Sequence, residues 1–377
     1  MGAKPVKIIY LMDRFLNANA GTERQLLKLL TRLDRTHFEP YLVVFHETPY
    51  LQSNPFPCPV RTLDFQKVAS VRTFWKLISL ARMMRIHGIR LVHILLNDAS
   101  IVGPVFCKLG GAKVVVSRRD MGFWYTPASL AALRVSNLFV DRVVANCKAV
   151  GRNVEKREKV PAEKMTVIYN GQECEPQGTL VQASFWESLG IGKDDPVVGM
   201  VANLYPGKRH EDLVRAFAAV HQRFHRAHLL LPGEGGQEAS LRRLVAALGL
   251  DAHVHFLGLV SDVVPVIRRC NASVLCSESE GLPNAVLEYM SCGRPTICTK
   301  VGGTVELIED GQSGFLIDVG DVKALAERII RILGDEVLAQ RLGGNARKRI
   351  AADFSLDRMV QSHMRLYEGL LGQPRND

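Results

Sequence analysis

The sequence of 377 residues predicts an α/β protein with two doubly wound parallel-sheet domains. Short runs of consecutive apolar residues alternate with amphipathic segments of helical spacing, and this alternation pauses only once, near the middle of the chain. Runs that are apolar at consecutive positions are typical of parallel strands buried on both faces. Repeated β-α alternation then implies right-handed crossovers, and the length suits two domains of about 150–200 residues.

Twelve apolar runs are predicted as strands. They lie at 6–12, 40–45, 91–95, 113–117, 142–145 and 165–169, and then at 197–202, 228–231, 253–257, 272–276, 295–298 and 315–317. The pause between them is rich in Gly, Pro and acidic residues, which favours a linker at 171–195. We therefore expect one domain over 1–170 and another over 196–355. A final helical segment at 356–377 could cross back to the first domain.

Composition excludes several classes of protein. Hydrophobic residues make up 47% and charged residues 23%, which is ordinary globular usage and excludes disorder for most of the chain. No apolar run reaches the roughly 18–20 residues that span a bilayer. The first apolar run is short and is followed at once by Asp13 and Arg14, which favours a strand over a signal peptide.

The eight cysteines predict buried free thiols in a reducing cytoplasm. None forms a C-x-x-C pair, so the usual signals for zinc or thioredoxin-like redox chemistry are missing. The positions are Cys58, Cys107, Cys147, Cys174, Cys270, Cys276, Cys292 and Cys298.

Charge is concentrated in the first half of the chain. Residues 1–185 carry 26 Lys and Arg against 14 Asp and Glu, whereas residues 186–377 carry 22 against 24. A basic half suits an anionic partner such as a phosphorylated substrate, a membrane surface or nucleic acid, although it also serves solubility alone. Nucleic acid is disfavoured, because no recognisable module or aromatic-interleaved basic motif is present.

Ligands of doubly wound sheets bind beyond the carboxyl ends of the strands. Residues 277–288, which follow the predicted strand at 272–276, lie at such an end. Gly281 allows the backbone to approach a ligand closely. Pro283 suits the start of a helix, and the free backbone amides at that start would bind an anion. Glu280 in the loop and Glu288 about a turn into the helix are good acceptors for hydroxyls. The combination suits a diphosphate flanked by ribose and sugar, while two solvated glutamates are the structural alternative.

Two further helix starts follow strands. Lys208 and Arg209 lie at the helix start that follows 197–202. A cation there opposes the helix dipole and is unfavourable unless an anion binds to both, so these residues indicate phosphate binding. In the first domain, Gly21 precedes a predicted capping box with Thr22 as N-cap and Gln25 reaching back. The spacing is not that of a dinucleotide fold. Glycine-rich loops at 233–236 and 302–303 are individually weak signals.

These motifs, in this order, resemble the retaining nucleotide-sugar glycosyltransferases of family four, which have the GT-B fold of two Rossmann-like domains facing a cleft. The E-x7-E signature corresponds to the run from Glu280 to Glu288. The wider pattern covers nearly the whole chain at 20–23, 169–171, 208–210, 233–235, 256–258 and 302–306.

The resemblance implies a role for each matched residue. Glu280 would contact donor-sugar hydroxyls, Glu288 the ribose hydroxyls, and Lys208 the diphosphate leaving group, with Arg209 assisting. The remaining donor-binding positions would be Gly21, Gly281, Leu282, Pro283, Asn284, Gly302 and Gly303. The family needs no metal or other cofactor, which agrees with the lack of an Asp-x-Asp motif.

The sequence departs from the family pattern at two places. Asn203 and Tyr205 stand where many members carry an Arg, and Arg209 is a candidate substitute. Many members also place a His after the fourth strand of the first domain; this chain has Arg119 and Asp120 in that run, and both are candidates for the acceptor side.

Three functions fit these features. The resemblance favours transfer of a sugar to a hydroxyl of a saccharide or lipid-linked saccharide in polysaccharide or glycolipid synthesis. A nucleotide-sugar epimerase of the same fold and a non-catalytic sugar-nucleotide or lipid-binding protein are the alternatives.

The basic segment 72–85, with Trp75, could lie on an anionic membrane, or it could be a core helix with a basic outer face. The expected location is cytoplasmic, either free or peripheral at the inner membrane face.

Overall fold

A computed structural model describes residues 4–65, 70–173 and 183–372. The chain forms two compact units, Met1–Gly171 with Leu356–Asp377, and Gln172–Ser355. Each unit contains one parallel sheet with helices between its strands, so the predicted pair of doubly wound domains is confirmed. The predicted linker at 171–195 includes residues 174–182, which lie outside the described residues.

The first unit has a seven-stranded sheet in the order β3-β2-β1-β4-β5-β6-β7. Its strands are β1 (Val6–Met12), β2 (Phe38–Val44), β3 (Val60–Thr62), β4 (Leu91–Leu95), β5 (Lys113–Arg118), β6 (Arg142–Ala145) and β7 (Met165–Val167). Its helices along the first part of the chain are α1 (Gly21–Arg32), α2 (Pro49–Ser53), α3 (Val71–Ile86), α4 (Asn97–Leu109), α5 (Pro127–Ser136) and α6 (Lys148–Glu158).

The second unit has a six-stranded sheet in the order β10-β9-β8-β11-β12-β13. Its strands are β8 (Val197–Gly199), β9 (His228–Pro232), β10 (Val254–Gly258), β11 (Ala272–Leu275), β12 (Thr296–Thr299) and β13 (Phe315–Ile317). Its helices are α7 (Ala183–Ser188), α8 (His210–Arg223), α9 (Glu238–Ala247), α10 (Val264–Arg269), α11 (Asn284–Ser291), α12 (Thr304–Leu307), α13 (Val322–Gly334) and α14 (Glu336–Asp353).

Strand β3 was not predicted. It holds three residues at the edge of its sheet, and Val60 and Arg61 are exposed. An edge strand with so little burial carries no run of consecutive apolar residues, which was the signal that located the other strands.

The last helix, α15 (Leu356–Leu371), packs on the first unit. It joins a core cluster that includes Tyr10 of β1 and Leu30 of α1. The fully buried Tyr367 hydroxyl lies 2.6 Å from Nδ1 of His93, and Nε2 of His93 lies 2.8 Å from the Ser117 hydroxyl. These buried polar groups are hydrogen-bonded to one another, and the bonds fix the position of α15 on the sheet.

Seven cysteines lie within the described residues; all seven are buried and none of them forms a disulfide, while Cys174 lies outside those residues. Burial raises the pKa of the Cys270 thiol to about 12, and that of Cys276 equally, which keeps both unreactive. Within the same described ranges, none of the helices has the length and apolar character needed to cross a membrane.

A histidine cluster lies at the amino ends of the second sheet's strands. Nδ1 of His228 and Nε2 of His255 are 3.0 Å apart, and the ring of His253 lies 4.9 Å from that of His228. Burial, followed by the neighbouring His255 and His253, lowers the pKa of His228 to about 4. Burial and repulsion between neighbouring imidazolium rings disfavour the charged form of His228, so the folded state favours its neutral form.

We expect this cluster to make the second unit sensitive to acid. Unfolded histidine titrates near pH 6.5, so stability contributed by neutral His228 is present above that pH and is lost as pH falls from about 6.5 toward 4. His255→Asn should reduce the loss of stability between pH 7.5 and 5 by on the order of 1–2 kcal/mol, measured by denaturant unfolding at both pH values. The control is His87→Asn at an exposed position of the first unit. An unchanged pH dependence in His255→Asn would contradict the assignment.

Candidate active site

The carboxyl ends of β8, β11 and β12 bring three loops together in the second unit. Strands β8 and β11 are neighbours where the strand order reverses, and β12 lies beside β11. Such a reversal leaves an opening at the carboxyl edge of an open α/β sheet, where ligands bind. The loops that follow these three strands carry most of the predicted donor-binding residues.

Lys208 and Glu280 meet across two of these loops. Lys208 ends a short 3-10 turn, Pro206–Lys208, just before α8, and its Nζ forms an ion pair with Oε1 of Glu280. The Lys208 side chain is 31% exposed and that of Glu280 is 11% exposed. The pair therefore remains accessible from solvent, and it combines a cation with a hydroxyl acceptor.

The backbone fixes the same two loops to each other. The amide of Glu278 donates to the carbonyl of Gly207 at 2.9 Å. The Cys276 thiol donates to the carbonyl of Arg209 at 3.2 Å. Lys208 is thus held between two anchored neighbours, which limits the positions that its side chain can reach.

Arg209 is engaged by carboxylates. It has a left-handed backbone (φ 55°), its Nε donates to Asp212 at 2.6 Å, and its Nη1 donates to Glu278 at 3.0 Å. These two hydrogen bonds, that of Asp212 foremost, raise the pKa of Arg209. The structure therefore shows Arg209 joining the start of α8 to the Glu278 loop. Its predicted contact with phosphate stays a prediction.

Gly302 and Gly303 lie directly on the Glu280 loop. The amide of Gly303 donates to the carbonyl of Gly281 at 2.8 Å. Gly302 has φ +51°, and a Cβ at that position would lie 1.7 Å from the Glu280 carbonyl oxygen. Only glycine fits there without displacing the loop. The glycine pair at 302–303, a weak signal in the sequence, therefore marks a place where two backbone segments pass close to each other.

Helix α11 begins immediately after this loop, with Pro283 as its N-cap. Leu282 and Pro283 are buried, and Asn284 is partly buried. Glu288 lies in the second turn and is only 3% exposed. The next residue, Tyr289, accepts a hydrogen bond from the amide of Val201 at 2.6 Å, which ties α11 to the loop after β8.

The glycine-rich loop after β9 supports the loop after β8. A Cβ on Gly233 would lie 2.1 Å from the carbonyl oxygen of Ala202, and one on Gly235 would lie 2.4 Å from that of Leu204. The amide of Leu204 donates to the carbonyl of Glu234 at 2.9 Å. This loop is therefore part of the packing behind Lys208.

In the first unit, the predicted capping box at Thr22 is wrong. Helix α1 begins at Gly21 with Ala20 as N-cap, and no side chain caps it. The Gln25 side chain instead accepts from the amide of Gly171 at 3.0 Å and donates to its carbonyl at 3.2 Å. A tertiary contact with a residue 146 positions away has replaced the local one.

Arg119 and Asp120 line one small cavity of about 30 Å³ beyond β5. The other residues around it are Thr22, Leu96, Asn97, Ser117, Arg118 and Trp124. Arg119 donates to Oδ1 of Asn170 at 2.6 Å, and burial lowers its pKa to about 10, so it stays cationic at neutral pH. Asp120 accepts from the amide of Gly122 at 2.6 Å, and burial raises its pKa.

Arg118, unlike Arg119, forms an internal ion pair. It is 5% exposed and forms a two-pronged ion pair with the buried Glu158, at 2.7 and 2.9 Å. Asn137 donates to the same carboxylate at 2.9 Å. Arg118 therefore belongs to the interior, because its charge is already satisfied by Glu158.

The sequence reasoning missed the loop after β4. Oδ2 of Asp13 accepts from the amides of Asn97 and Asp98, both at 3.1 Å, and its Oδ1 accepts from that of Ala99 at 2.6 Å. Leu96 has a left-handed backbone (φ 69°), which is rare outside glycine. Asp13 directly after the first strand was a usable signal, since β1 and β4 are neighbours at the reversal of this sheet.

Two family models match the chain, and together they cover most of it. The model of glycosyl transferases group 1 matches residues 182–349, and that of glycosyltransferase family 4 matches residues 20–175. The chain belongs to the GT-B glycosyltransferases of the group 1/family 4 type. The family resemblance seen in the sequence is thereby confirmed.

Two curated relatives in this family are informative. N-acetyl-alpha-D-glucosaminyl L-malate synthase of Bacillus anthracis is 33% identical over half of this chain and half of its own length. UDP-Gal:alpha-D-GlcNAc-diphosphoundecaprenol alpha-1,3-galactosyltransferase of Escherichia coli is 23% identical over 92% of this chain and 93% of its own. The chain matches only about half the length of several relatives with higher identity.

Solved structures share the fold of this chain. Anabaena Alr3699/HepE in complex with UDP superposes with a TM-score of 0.84 at 22% identity, covering 97% of this chain and 100% of that chain. The same protein in complex with UDP-glucose gives a TM-score of 0.81 at 23% identity, covering 96% and 99%. At this identity the similarity establishes the GT-B fold.

A substitution at Glu280 tests whether the Lys208–Glu280 pair belongs to a donor-binding site. Glu280→Gln should tighten binding of UDP by about 2- to 10-fold, because Lys208 then has no competing carboxylate. The same variant should slow sugar transfer, because a hydroxyl acceptor is weakened. Isothermal titration with UDP gives the first quantity and initial rates give the second. Glu211→Gln, which loses an exposed pair with Arg215, is the matched control. Weaker UDP binding in Glu280→Gln would contradict the prediction.

Proposed function

We propose that the protein is a retaining, metal-independent glycosyltransferase that moves a sugar from a nucleoside diphosphate sugar to an acceptor hydroxyl. The proposal rests mainly on the accessible Lys208–Glu280 pair at the carboxyl edge of the second sheet. A site built only for phosphate gains nothing from a carboxylate beside its lysine. A ligand that carries both phosphate and sugar hydroxyls uses both groups.

The donor is assigned to the second unit. Lys208 binds the diphosphate, Glu280 accepts hydrogen bonds from sugar hydroxyls, and Glu288 accepts from the ribose. The amino end of α11 adds the favourable dipole for an anion, with the backbone of 281–284 alongside it. Uridine is the favoured base, since the E. coli relative is named for UDP-Gal and HepE was crystallised with UDP and UDP-glucose.

The reaction proceeds by breaking the donor bond between C1 and the phosphate oxygen. The electron pair leaves with the diphosphate, where the Lys208 cation and the helix amides stabilise the growing charge. C1 gains oxocarbenium character, and the acceptor oxygen bonds to it from the face that the phosphate left. The acceptor proton passes to a phosphate oxygen. Positioning and electrostatics thus supply most of the rate enhancement.

The acceptor is assigned to the first unit, at the cavity of Arg119 and Asp120. Arg119 remains cationic, and Asp120 offers an oxygen for an incoming hydroxyl. A cation beside a carboxylate suits the hydroxyl groups of saccharides and lipid-linked saccharides in polysaccharide or glycolipid synthesis. The E. coli relative, whose name gives a diphosphoundecaprenol-linked acceptor, supports that class.

A transfer assay tests the proposal. The purified protein is incubated with UDP- and GDP-sugars and a panel of saccharide and lipid-linked acceptors, and released nucleoside diphosphate is measured with and without EDTA. We expect release that depends on acceptor, is unaffected by EDTA, and gives a product with the donor's anomeric configuration by NMR. An inverted product, or failure to bind any sugar nucleotide, would refute the proposal. Conversion of donor without acceptor would identify an epimerase instead.

A further inference from the structure

A second cavity, of about 310 Å³, lies on the first unit away from the residues assigned to catalysis. Ile9, Val43, Val60, Met83 and Ile89 give it apolar walls. Its volume is at the lower end of the range of about 300–1,000 Å³ found for small-molecule sites.

This cavity occupies one face of the sheet at β1, β2 and β3. On β1 the alternate residues Ile8 and Tyr10 point into the core cluster shared with α1 and α15, so Lys7 and Ile9 point to the other face. Helix α2 also packs on the core side, through Tyr50. The cavity therefore lies on the opposite face of the sheet from that cluster, and Leu42 borders both.

The rim of the cavity is cationic. Lys7 and Arg61 carry this charge, and the exposed His87 also lines the cavity. Neither Lys7 nor Arg61 forms an ion pair with any residue that the structure describes. Glu39, which lies opposite Lys7 in the register of β1 and β2, accepts a hydrogen bond from the hydroxyl of Tyr41. An apolar pocket with unpaired cations at its mouth fits a molecule that has a hydrocarbon part and an anionic end.

Helix α3 extends this surface. Its last residues border the cavity through Met83, and its outer face carries Phe74, Trp75 and Ile86, which are 48%, 63% and 71% exposed. The helix contains four basic residues and no acidic one. Exposed Trp beside Arg is typical of helices that lie in a membrane interface, where the ring sits at the headgroups and the cations meet anionic lipid.

We propose that the first unit docks on an anionic phospholipid bilayer through α3 and takes one phospholipid into the cavity. An acyl chain would contact Ile9, Val60 and Met83, and the lipid phosphate would lie between Lys7 and Arg61. An acyl chain in the cavity would remove the cavity's apolar walls from water, and this gain adds to the attraction of the basic helix for anionic lipid. Docking of this kind would hold the enzyme beside a lipid-linked acceptor. It does not depend on the proposed reaction.

Vesicle sedimentation of the full chain tests the docking surface. At low salt we expect at least about tenfold stronger partition to vesicles of phosphatidylcholine with 30% phosphatidylglycerol than to phosphatidylcholine alone. Arg82→Glu should abolish most of this preference, whereas Arg215→Glu on the second unit should keep it. Inorganic phosphate at constant ionic strength should not compete. Equal partition to both vesicles, or equal behaviour of the two variants, would overturn the proposal.

Photo-crosslinking tests the cavity itself. A phosphatidylglycerol with a photoreactive acyl chain should label peptides that contain Val60 and Met83, and Val60→Glu should reduce this labelling at least fivefold. Val337→Glu, at a 78% exposed position of the second unit, is the matched control. Thermal melting of both variants verifies folding. Label confined to peptides with Phe74 and Trp75 would show docking without uptake and would overturn the cavity assignment.

Discussion

Lys208→Ala should lower the turnover number for sugar transfer by about 10²- to 10³-fold, the usual loss when one preorganised group that stabilises developing charge is removed. Lys208 is the cation that approaches Glu280 at the carboxyl edge of the second sheet, and the departing diphosphate develops its charge there in the proposed reaction. Stability should change little, because the Lys208 side chain is about a third exposed and such pairs contribute weakly to folding.

The measurement is the initial rate of nucleoside diphosphate release at saturating donor, together with the dissociation constant for the donor. The matched control is Arg215→Ala, which removes a cation from the adjacent helix α8, where Arg215 pairs only with Glu211 among the interactions described for it. The control should retain wild-type turnover. A folded Lys208→Ala enzyme with unchanged turnover and unchanged KM would remove Lys208 from the site. A rise in KM with unchanged turnover would show that Lys208 binds the substrate and the transition state equally and does not stabilise the developing charge.

The sequence was informative about the sheets because a strand buried on both faces is apolar at consecutive positions, which can be seen directly in the sequence. Strands such as β4 and β5 are apolar at consecutive positions, and they lie where this pattern predicted. Strand β3 shows no such pattern, since its position at the edge exposes Val60 and Arg61. Ends of strands were less certain: β8 ends at Gly199, whereas the apolar run continues to 202.

The sequence could indicate where the candidate site lies, but not which of its side chains are in contact. The rule that ligands bind at the carboxyl ends of strands pointed to the loops of Lys208 and Glu280, yet their contact spans 72 positions and depends on the order of the strands. Local patterns were misleading where a distant partner competed, as at Gln25, which bonds Gly171. Two adjacent arginines also look alike in sequence. Only the fold shows that Arg118 is paired internally with Glu158 and that Arg119 meets Asn170.

Gly302→Ala should reduce sugar transfer by at least about 100-fold through a distortion of the Glu280 loop. A methyl group there would lie 1.7 Å from the Glu280 carbonyl oxygen, and the backbone is in the left-handed region at φ +51°. The left-handed conformation costs Ala about 1 kcal/mol relative to Gly, so the close approach is the larger effect. To relieve it, the loop must move Glu280 away from Lys208 or abandon the hydrogen bond between Gly303 and Gly281.

Gly311→Ala separates these two effects. Gly311 also has a left-handed backbone, at φ +73°, but no atom lies within 4 Å of the position that a Cβ would take. Gly311→Ala should therefore show only a small loss of stability and retain most of its activity, while Gly302→Ala loses transfer and UDP affinity together. Hydrogen exchange of the peptide that contains Glu280 should increase in Gly302→Ala alone. If both variants lose activity equally, the left-handed backbone rather than the contact with Glu280 accounts for the need for glycine. If neither does, the loop after β12 is not part of the site.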